Sequence, residues 1–139
     1  MAGHSLAAYS RPPDSEKVTI NLGHVDLGQI DLLVGEGFYG NRTDLIRTAI
    51  RRELDRHAEA VRAAVARQRI DLGLRRFSKA DLERSVAAGE ALHLQVLGLA
   101  VIAPDVTPEL ARQAIASLRV LGALSASPAV KAALADRLR

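Results

Sequence analysis

A short alternating segment near the start of the chain limits the available folds more than any other feature. Polar and apolar residues alternate strictly from Lys17 to Leu22, written KVTINL. Because successive side chains of a β-strand point to opposite faces, this pattern predicts a strand with Val18, Ile20 and Leu22 on its apolar face. A lone six-residue strand has two unpaired edges, so another strand must pair with it.

Two helices are predicted after this strand. The first runs from about Val25 to a glycine stop at residues 35–37. The second opens at the N-cap residue Asn41, where Asp44 completes a sequence resembling a capping box, and its apolar spacing continues to about Gln68. About 40 to 50 residues rarely form an independent core, so the simplest partner is a second copy of the chain. Two copies would form an antiparallel ribbon over four helices, related by a two-fold axis.

The C-terminal half contains an internal repeat with a period of 24 residues. Residues 94–111 match the segment 24 positions later at several apolar positions and at the glycines Gly98 and Gly122. A fainter earlier copy begins at Ile70, although its glycine, Gly73, falls one position early. A period of this length predicts stacked coils, each made of a strand and a helix. Two N-cap and proline pairs open the helical halves of the coils: Thr107 with Pro108, and Ser127 with Pro128.

These patterns predict an α+β chain in three parts. Residues 1–15 are small, polar and proline-containing and are interpreted as a flexible arm. Residues 16–69 form a β-α-α domain with an extended second helix, and residues 70–139 form the repeat module. The sequence has no cysteine, no secretory signal and no apolar stretch of the roughly 18 to 20 residues that a membrane span needs. We therefore expect a cytoplasmic protein without disulfides.

No catalytic or metal-binding pattern stands out. The four histidines, His4, His24, His57 and His93, are scattered and include no i,i+4 pair. The chain has no glycine-rich phosphate loop, no nucleophile elbow and no acid pair facing across one helix. We expect neither an enzyme, nor a cofactor, nor a metal site.

The N-terminal pattern resembles the Arc/MetJ/CopG ribbon-helix-helix family over residues 16–57. The resemblance rests on KVTINL, a helix, and then GFYGNRTDLIRTAIRREL. It implies an intertwined homodimer that binds double-stranded DNA. By position, it implies base contacts in the major groove from the outward strand residues Lys17, Thr19 and Asn21. It also implies phosphate contacts at the start of the second helix, from Gly40, Asn41, Arg42 and Thr43.

The chemistry of these residues suits both tasks. Asn can pair with adenine, Lys can donate to guanine, and Thr can contact a thymine methyl, and the major groove admits a two-stranded ribbon. A helix N-terminus with free N–H groups attracts phosphate, and an arginine adds charge. Residues 42–69 contain eight arginines against four acids, although a solvated face with ion pairs would account for most of these charges.

The expected function is a sequence-specific transcriptional regulator, with repression as the expected direction. The alternative is an antitoxin whose C-terminal region binds a toxin, and an assembly protein that polymerises through the repeat is a third interpretation. We further expect the C-terminal module to join dimers into tetramers or larger species. Its candidate buried or interfacial residues are Val101, Ile102, Val120, Leu121 and Leu124.

Overall fold

The computed structural model describes residues 15–139, so the predicted arm lies outside the described residues except for its last position. The described chain divides into two compact units, residues 15–64 and Val65–Arg139. Helices and parallel strands both occur, which confirms a mixed α and β chain. None of the helices among these residues is long and apolar enough to cross a membrane.

Three helices account for the first half of the described chain: α1 (His24–Gly35), α2 (Arg42–Arg56) and α3 (Ala58–Gln68). The predicted glycine stop of the first helix is confirmed at Gly37, which has a φ of +87°. Its amide donates to the Val34 carbonyl at 3.0 Å, and the Phe38 amide donates to the Leu33 carbonyl at 3.0 Å. These two bonds satisfy carbonyls at the end of α1, and the left-handed backbone that they need suits glycine.

The predicted strand Lys17–Leu22 requires a correction. Residues 16–23 contain no strand, and they lead directly into α1 from the N-cap residue Gly23. A β-strand is held by hydrogen bonds to a neighbouring strand, and no segment among residues 15–139 pairs with this one. The alternating pattern therefore has no pairing partner within the described part of a single chain.

The extended second helix also differs from its prediction, because it is interrupted at His57. There the backbone has φ −101° and ψ 13°, and the His57 amide donates to the Leu54 carbonyl at 3.1 Å. The helix resumes at Ala58 and ends at the predicted Gln68. A one-residue interruption leaves the spacing of the apolar residues nearly unchanged. The interruption therefore could not be predicted from the sequence pattern.

The second unit is a stack of three coils, including the fainter first copy. Its strands form a parallel sheet in the order β1-β2-β3, each followed by a helix. The elements are β1 (Asp71–Phe77), α4 (Lys79–Ala87), β2 (Leu92–Ile102), α5 (Pro108–Ala114), β3 (Ile115–Ser125), α6 (Pro128–Ala133) and a 3-10 turn (Ala135–Arg137). Gly73 pairs with Gly98, and Gly98 pairs with Gly122, so the first coil is one residue longer than the second. This extra residue explains why Gly73 is out of step in the sequence repeat.

Each helix of the stack begins at a capped position. The side chains of Ser78, Thr107 and Ser127 accept hydrogen bonds from the third helical amide at 3.1, 3.1 and 3.2 Å. Pro108 and Pro128 occupy the first turns, as their N-cap and proline pairs predict. The helices cover one face of the sheet, and the residues buried between them include Leu82, Val96, Ala100, Ile115, Leu118 and Leu134.

A row of glycines crosses the sheet from strand to strand. Gly73, Gly98 and Gly122 are in register and have φ values of +106°, +135° and +124°. A Cβ on Gly98 would lie 3.0 Å from the Gly73 carbonyl carbon and closer still to its oxygen, and Gly122 meets Gly98 in the same way. The strands therefore approach each other at a place where only glycine fits.

Candidate nucleic-acid interface

The N-terminal unit leaves most of its large apolar side chains exposed, and the others are only half-buried. None of residues 15–69 is buried, although this segment includes three helices. Val18 is 78% exposed and Ile20 is 59% exposed. Further exposed apolar residues are Leu22, Val25, Leu32, Leu33, Phe38, Ile50, Leu54 and Val61. Because a stable fold must remove most of its apolar surface from water, this unit lacks a core of its own.

The predicted base-contact residues Lys17, Thr19 and Asn21 lie within one exposed segment immediately before α1. None of their side chains forms a hydrogen bond or an ion pair with any of residues 15–139. Their polar groups are therefore available to an external ligand. They occupy every second position of a five-residue stretch of the sequence.

The start of α2 places the predicted phosphate-contact residues next to one another. The Asn41 side chain accepts a hydrogen bond from the Asp44 amide at 2.8 Å, which confirms Asn41 as the N-cap. The Asp44 carboxylate accepts a hydrogen bond from the Gly40 amide at 2.9 Å. Because the Asp44 amide already donates to the Asn41 side chain, the amides of Arg42 and Thr43 are the amides of the first helical turn that lack an acceptor.

Arg42 holds the turn between the first two helices. Its Nε and Nη2 atoms donate to the two carboxylate oxygens of Asp31 on α1, each at 2.8 Å. These hydrogen bonds lower the pKa of the Asp31 carboxyl, and the same carboxylate raises the pKa of the Arg42 guanidinium. The third guanidinium nitrogen, Nη1, makes no hydrogen bond to any of residues 15–139. The arrangement fixes the direction of Arg42 and leaves one donor group available.

Sequence reasoning missed the role of Asp31 as the partner of Arg42. A helpful signal lay in its position in the C-terminal half of α1, toward the helix end whose dipole disfavours negative charge. An acid there gains most when a cation pairs with it. Arg42 opens the next helix after a short turn and can provide that cation.

Several arginines of α2 and α3 are not engaged with acids. Among the eight arginines of residues 42–69, Arg42, Arg56 and Arg62 form ion pairs with Asp31, Glu53 and Glu59. The other five form no ion pair with a residue of the described chain: Arg47, Arg51, Arg52, Arg67 and Arg69. Four of these lie on α2 and α3 and Arg69 follows α3, so this stretch carries positive charge that ion pairs within the described chain do not neutralise. Within residues 15–139, no group of three His, Cys, Asp or Glu side chains is placed to hold a metal ion.

Comparison with known proteins supports one family. No curated protein and no solved structure matches the chain significantly. The model of the Ribbon-Helix-Helix transcriptional regulator family matches residues 13–131, which takes in parts of both units. The match covers most of the sequence, including the stacked coils as well as the N-terminal helices. The chain belongs to the ribbon-helix-helix transcriptional regulator family.

Proposed function

We propose that this protein is a sequence-specific DNA-binding repressor that acts as a homodimer. The observation that carries the proposal is the absence of any buried residue from position 15 to position 69. Pairing of Lys17–Leu22 with the same segment of a second chain would complete a two-stranded ribbon. It would also bury Val18, Ile20 and Leu22 of both chains against their helices. Obligate homodimers often have no stable folded monomer.

The opposite face of that ribbon would read the DNA sequence. Lys17, Thr19 and Asn21 alternate with the apolar residues, so a dimer presents six polar side chains on one surface. The major groove is wide enough for a two-stranded ribbon and displays a different donor and acceptor pattern for each base pair. This side-chain set offers donors, acceptors and a methyl group to those base edges.

The start of α2 would fix the ribbon on the DNA backbone. The Arg42 and Thr43 amides and the positive end of the helix dipole favour a phosphate there. The Nη1 group of Arg42, held in place by Asp31, supplies a further donor. Phosphate contacts of this type set the register of a protein on DNA without reading bases.

The folded second unit favours a regulator over the antitoxin alternative. Antitoxin tails are commonly polar and become ordered on binding. Residues 65–139 instead have their own buried core, which includes Leu82, Ile115 and Leu134. A toxin reading frame beside the gene would support the alternative instead.

Selection of bound sequences from a random pool of double-stranded DNA tests the proposal. The purified full chain should enrich a short two-fold-related motif, because a two-fold dimer reads two equivalent half-sites. The spacing of the half-sites would report the geometry of the bound dimers. A pool that shows no enrichment, or a motif without two-fold symmetry, would overturn the proposal.

A further inference from the structure

The parallel sheet of the second unit has two open edges. Its strands lie in the order β1-β2-β3, and no strand of residues 15–139 pairs with the outer side of β1. The outer side of β3 pairs only with the C-terminal residues, through a single bridge between Leu118 and Leu138. From Val120 to Ser125, β3 has no strand beside it within the described chain. The backbone amides and carbonyls of such edges are available to another strand.

The backbone of β3 turns every second residue toward its open edge. The Leu118 carbonyl accepts a hydrogen bond from the Arg139 amide at 2.9 Å, so Leu118 directs its backbone polar groups outward. Because backbone groups alternate in direction along a parallel strand, those of Val120, Gly122 and Leu124 point outward as well. The register between β2 and β3 is continuous over these positions, so the alternation is unbroken.

The backbone of β1 has the complementary arrangement. The Gly73 carbonyl oxygen points toward β2, because it lies where a Cβ on Gly98 would be. Gly73 therefore directs its polar groups inward, and Leu72, Leu74 and Arg76 direct theirs to the outer side. The side chains of Leu72 and Leu74 are 68% and 65% exposed, so this edge is accessible.

The internal repeat gives the register in which the two edges fit together. Gly73 lies opposite Gly98, and Gly98 lies opposite Gly122. A further step of the same kind sets Gly122 opposite Gly73 of a second copy, and Asp71 of that copy opposite Val120, beyond the C-terminal bridge. In this register the outward groups of β3 alternate with those of β1, as parallel pairing requires. No atom lies within 4 Å of a Cβ position on Gly73, so this side can receive the Gly122 carbonyl.

The side chains at such a contact are compatible. On the face of the sheet away from the helices, Leu72 would lie beside Leu121, and Leu74 beside Ala123. Residues 120–125 carry no charge, so no like charges would oppose each other across the contact. They also include no proline, and an edge strand without charge or proline is prone to pair with another strand.

We infer that β3 of one copy pairs in parallel with β1 of a second copy, so that the two sheets become one. The contact continues the pairing that already joins β1 to β2 and β2 to β3. Since each added copy brings one new edge of the same kind, addition can repeat and forms chains of copies rather than a closed pair. Both edges belong to the second unit, so this contact does not require the proposed ribbon.

Three of the five residues expected to be buried or interfacial lie on this edge. Val120, Leu121 and Leu124 belong to the part of β3 that would pair. Val101 and Ile102 are buried within the second unit, so they are not available to a partner.

Sedimentation velocity of the full chain with two substitutions at one residue tests the backbone contact. The unaltered chain should form species whose mass keeps growing with concentration. Leu72→Pro removes an outward amide of an edge strand, so the chain should stay folded by circular dichroism while this growth stops. Leu72→Ala removes the side chain but keeps the amide, so it is the matched control and should still assemble. Growth in Leu72→Pro, or equal loss in both variants, would overturn the inference.

Cross-linking identifies which edges meet, because the natural chain has no cysteine. A Leu72→Cys chain and a Leu121→Cys chain, produced together and treated with a short bis-maleimide, should become covalently joined. The yield should be roughly tenfold higher than for either chain alone, because pairing raises the effective concentration of the two thiols. Ala80→Cys, at an exposed position of α4, replaces Leu72→Cys in the matched control and should give only the background yield.

Other cross-linking patterns would overturn the inference. Covalent pairs from the Leu121→Cys chain alone would show that two β3 edges meet. Equal yields in all samples would show that the two edges make no specific contact. Pairs that form only after residues 1–14 are deleted would show that this segment, and not a second copy, covers an edge in the full chain.

Discussion

Arg42 combines a structural contact with an available donor. Two of its guanidinium nitrogens are held by Asp31, and both side chains are about half exposed. An ion pair in this position contributes little to stability, because water screens it. Its more useful effect is to orient Nη1 and the helix start in one direction. The function of this pair is therefore expected to appear in DNA binding more than in folding.

Replacement of the two partners should separate these roles. Arg42→Ala should weaken binding to all DNA sequences alike and lower the slope of log K against log salt by about 1 per site. Asp31→Ala removes the same ion pair but leaves the arginine charge, so DNA affinity should fall by less than in Arg42→Ala and the salt slope should stay as it is in the unaltered protein. Fluorescence anisotropy at several salt concentrations measures the DNA affinity and the salt slope of each variant. If the two variants weaken binding equally, Arg42 acts only by holding the turn, and its phosphate contact is wrong.

Only part of the geometry around Arg42 could be predicted from the sequence. The N-cap role of Asn41 followed from residue type and spacing. The bond from the Gly40 amide to Asp44 and the pairing of Arg42 with Asp31 did not, because each depends on how the chain turns between α1 and α2. Side-chain partners across a turn are a property of three-dimensional proximity, which spacing along one helix does not specify.

Among the elements, the glycine row is the feature most sensitive to substitution. Gly98 and Gly122 combine a left-handed backbone with a carbonyl group of the preceding strand where a Cβ would lie. Gly73 shares the positive φ but has no atom within 4 Å of the position of a Cβ, because it lies on the edge strand. The three glycines therefore separate the cost of backbone strain from the cost of steric overlap.

Alanine at each glycine should reveal this difference. Gly73→Ala should lower the free energy of unfolding by about 1–3 kcal/mol, the usual cost of a strained backbone position. Gly98→Ala and Gly122→Ala should cost more, about 3 kcal/mol or above, because the overlap forces the strands apart. Urea denaturation followed by circular dichroism measures these values. Equal costs at all three positions would contradict the close approach of the strands.

The elements differ in how far the sequence could predict them. Capped helices such as α5 and α6 were recognisable because residues adjacent in the sequence determine their starts. The interruption at His57 was not, because the apolar pattern continues through it. The sequence repeat was weak in the first coil for another reason. One extra residue places Gly73 25 positions before its partner Gly98, whereas the repeat has a period of 24 residues. The segment Lys17–Leu22 has a strand pattern whose partner is absent from the described part of one chain.

For the whole molecule, the exposed apolar surface of residues 15–69 requires a partner, and neighbouring substitutions can test for it. Ile20→Asp would place an unpaired carboxylate in a core shared by two chains, so it should abolish the dimer and reduce helical content. Thr19→Asp puts the same group on the opposite face of the predicted strand and should preserve the dimer. Sedimentation and circular dichroism follow both effects. A folded Ile20→Asp dimer would show that this face is not the shared core.

The DNA affinity of Asn21→Ala tests whether the polar face of a ribbon made by two chains reads bases. Removal of the Asn21 amide should weaken binding to the selected DNA motif. The expected cost is about 1–3 kcal/mol for each base that this amide recognises. Binding to random DNA should change little, because the phosphate interactions remain.

The matched control is Gln113→Ala, which removes an exposed amide from α5, outside the ribbon. Its affinity for the motif should equal that of the unaltered protein. Asn21→Ala should lose its preference for the motif over random DNA and keep its dimeric fold, as judged by sedimentation and circular dichroism. A correctly folded Asn21→Ala dimer that binds the motif and random DNA as the unaltered protein does would contradict base reading by this residue.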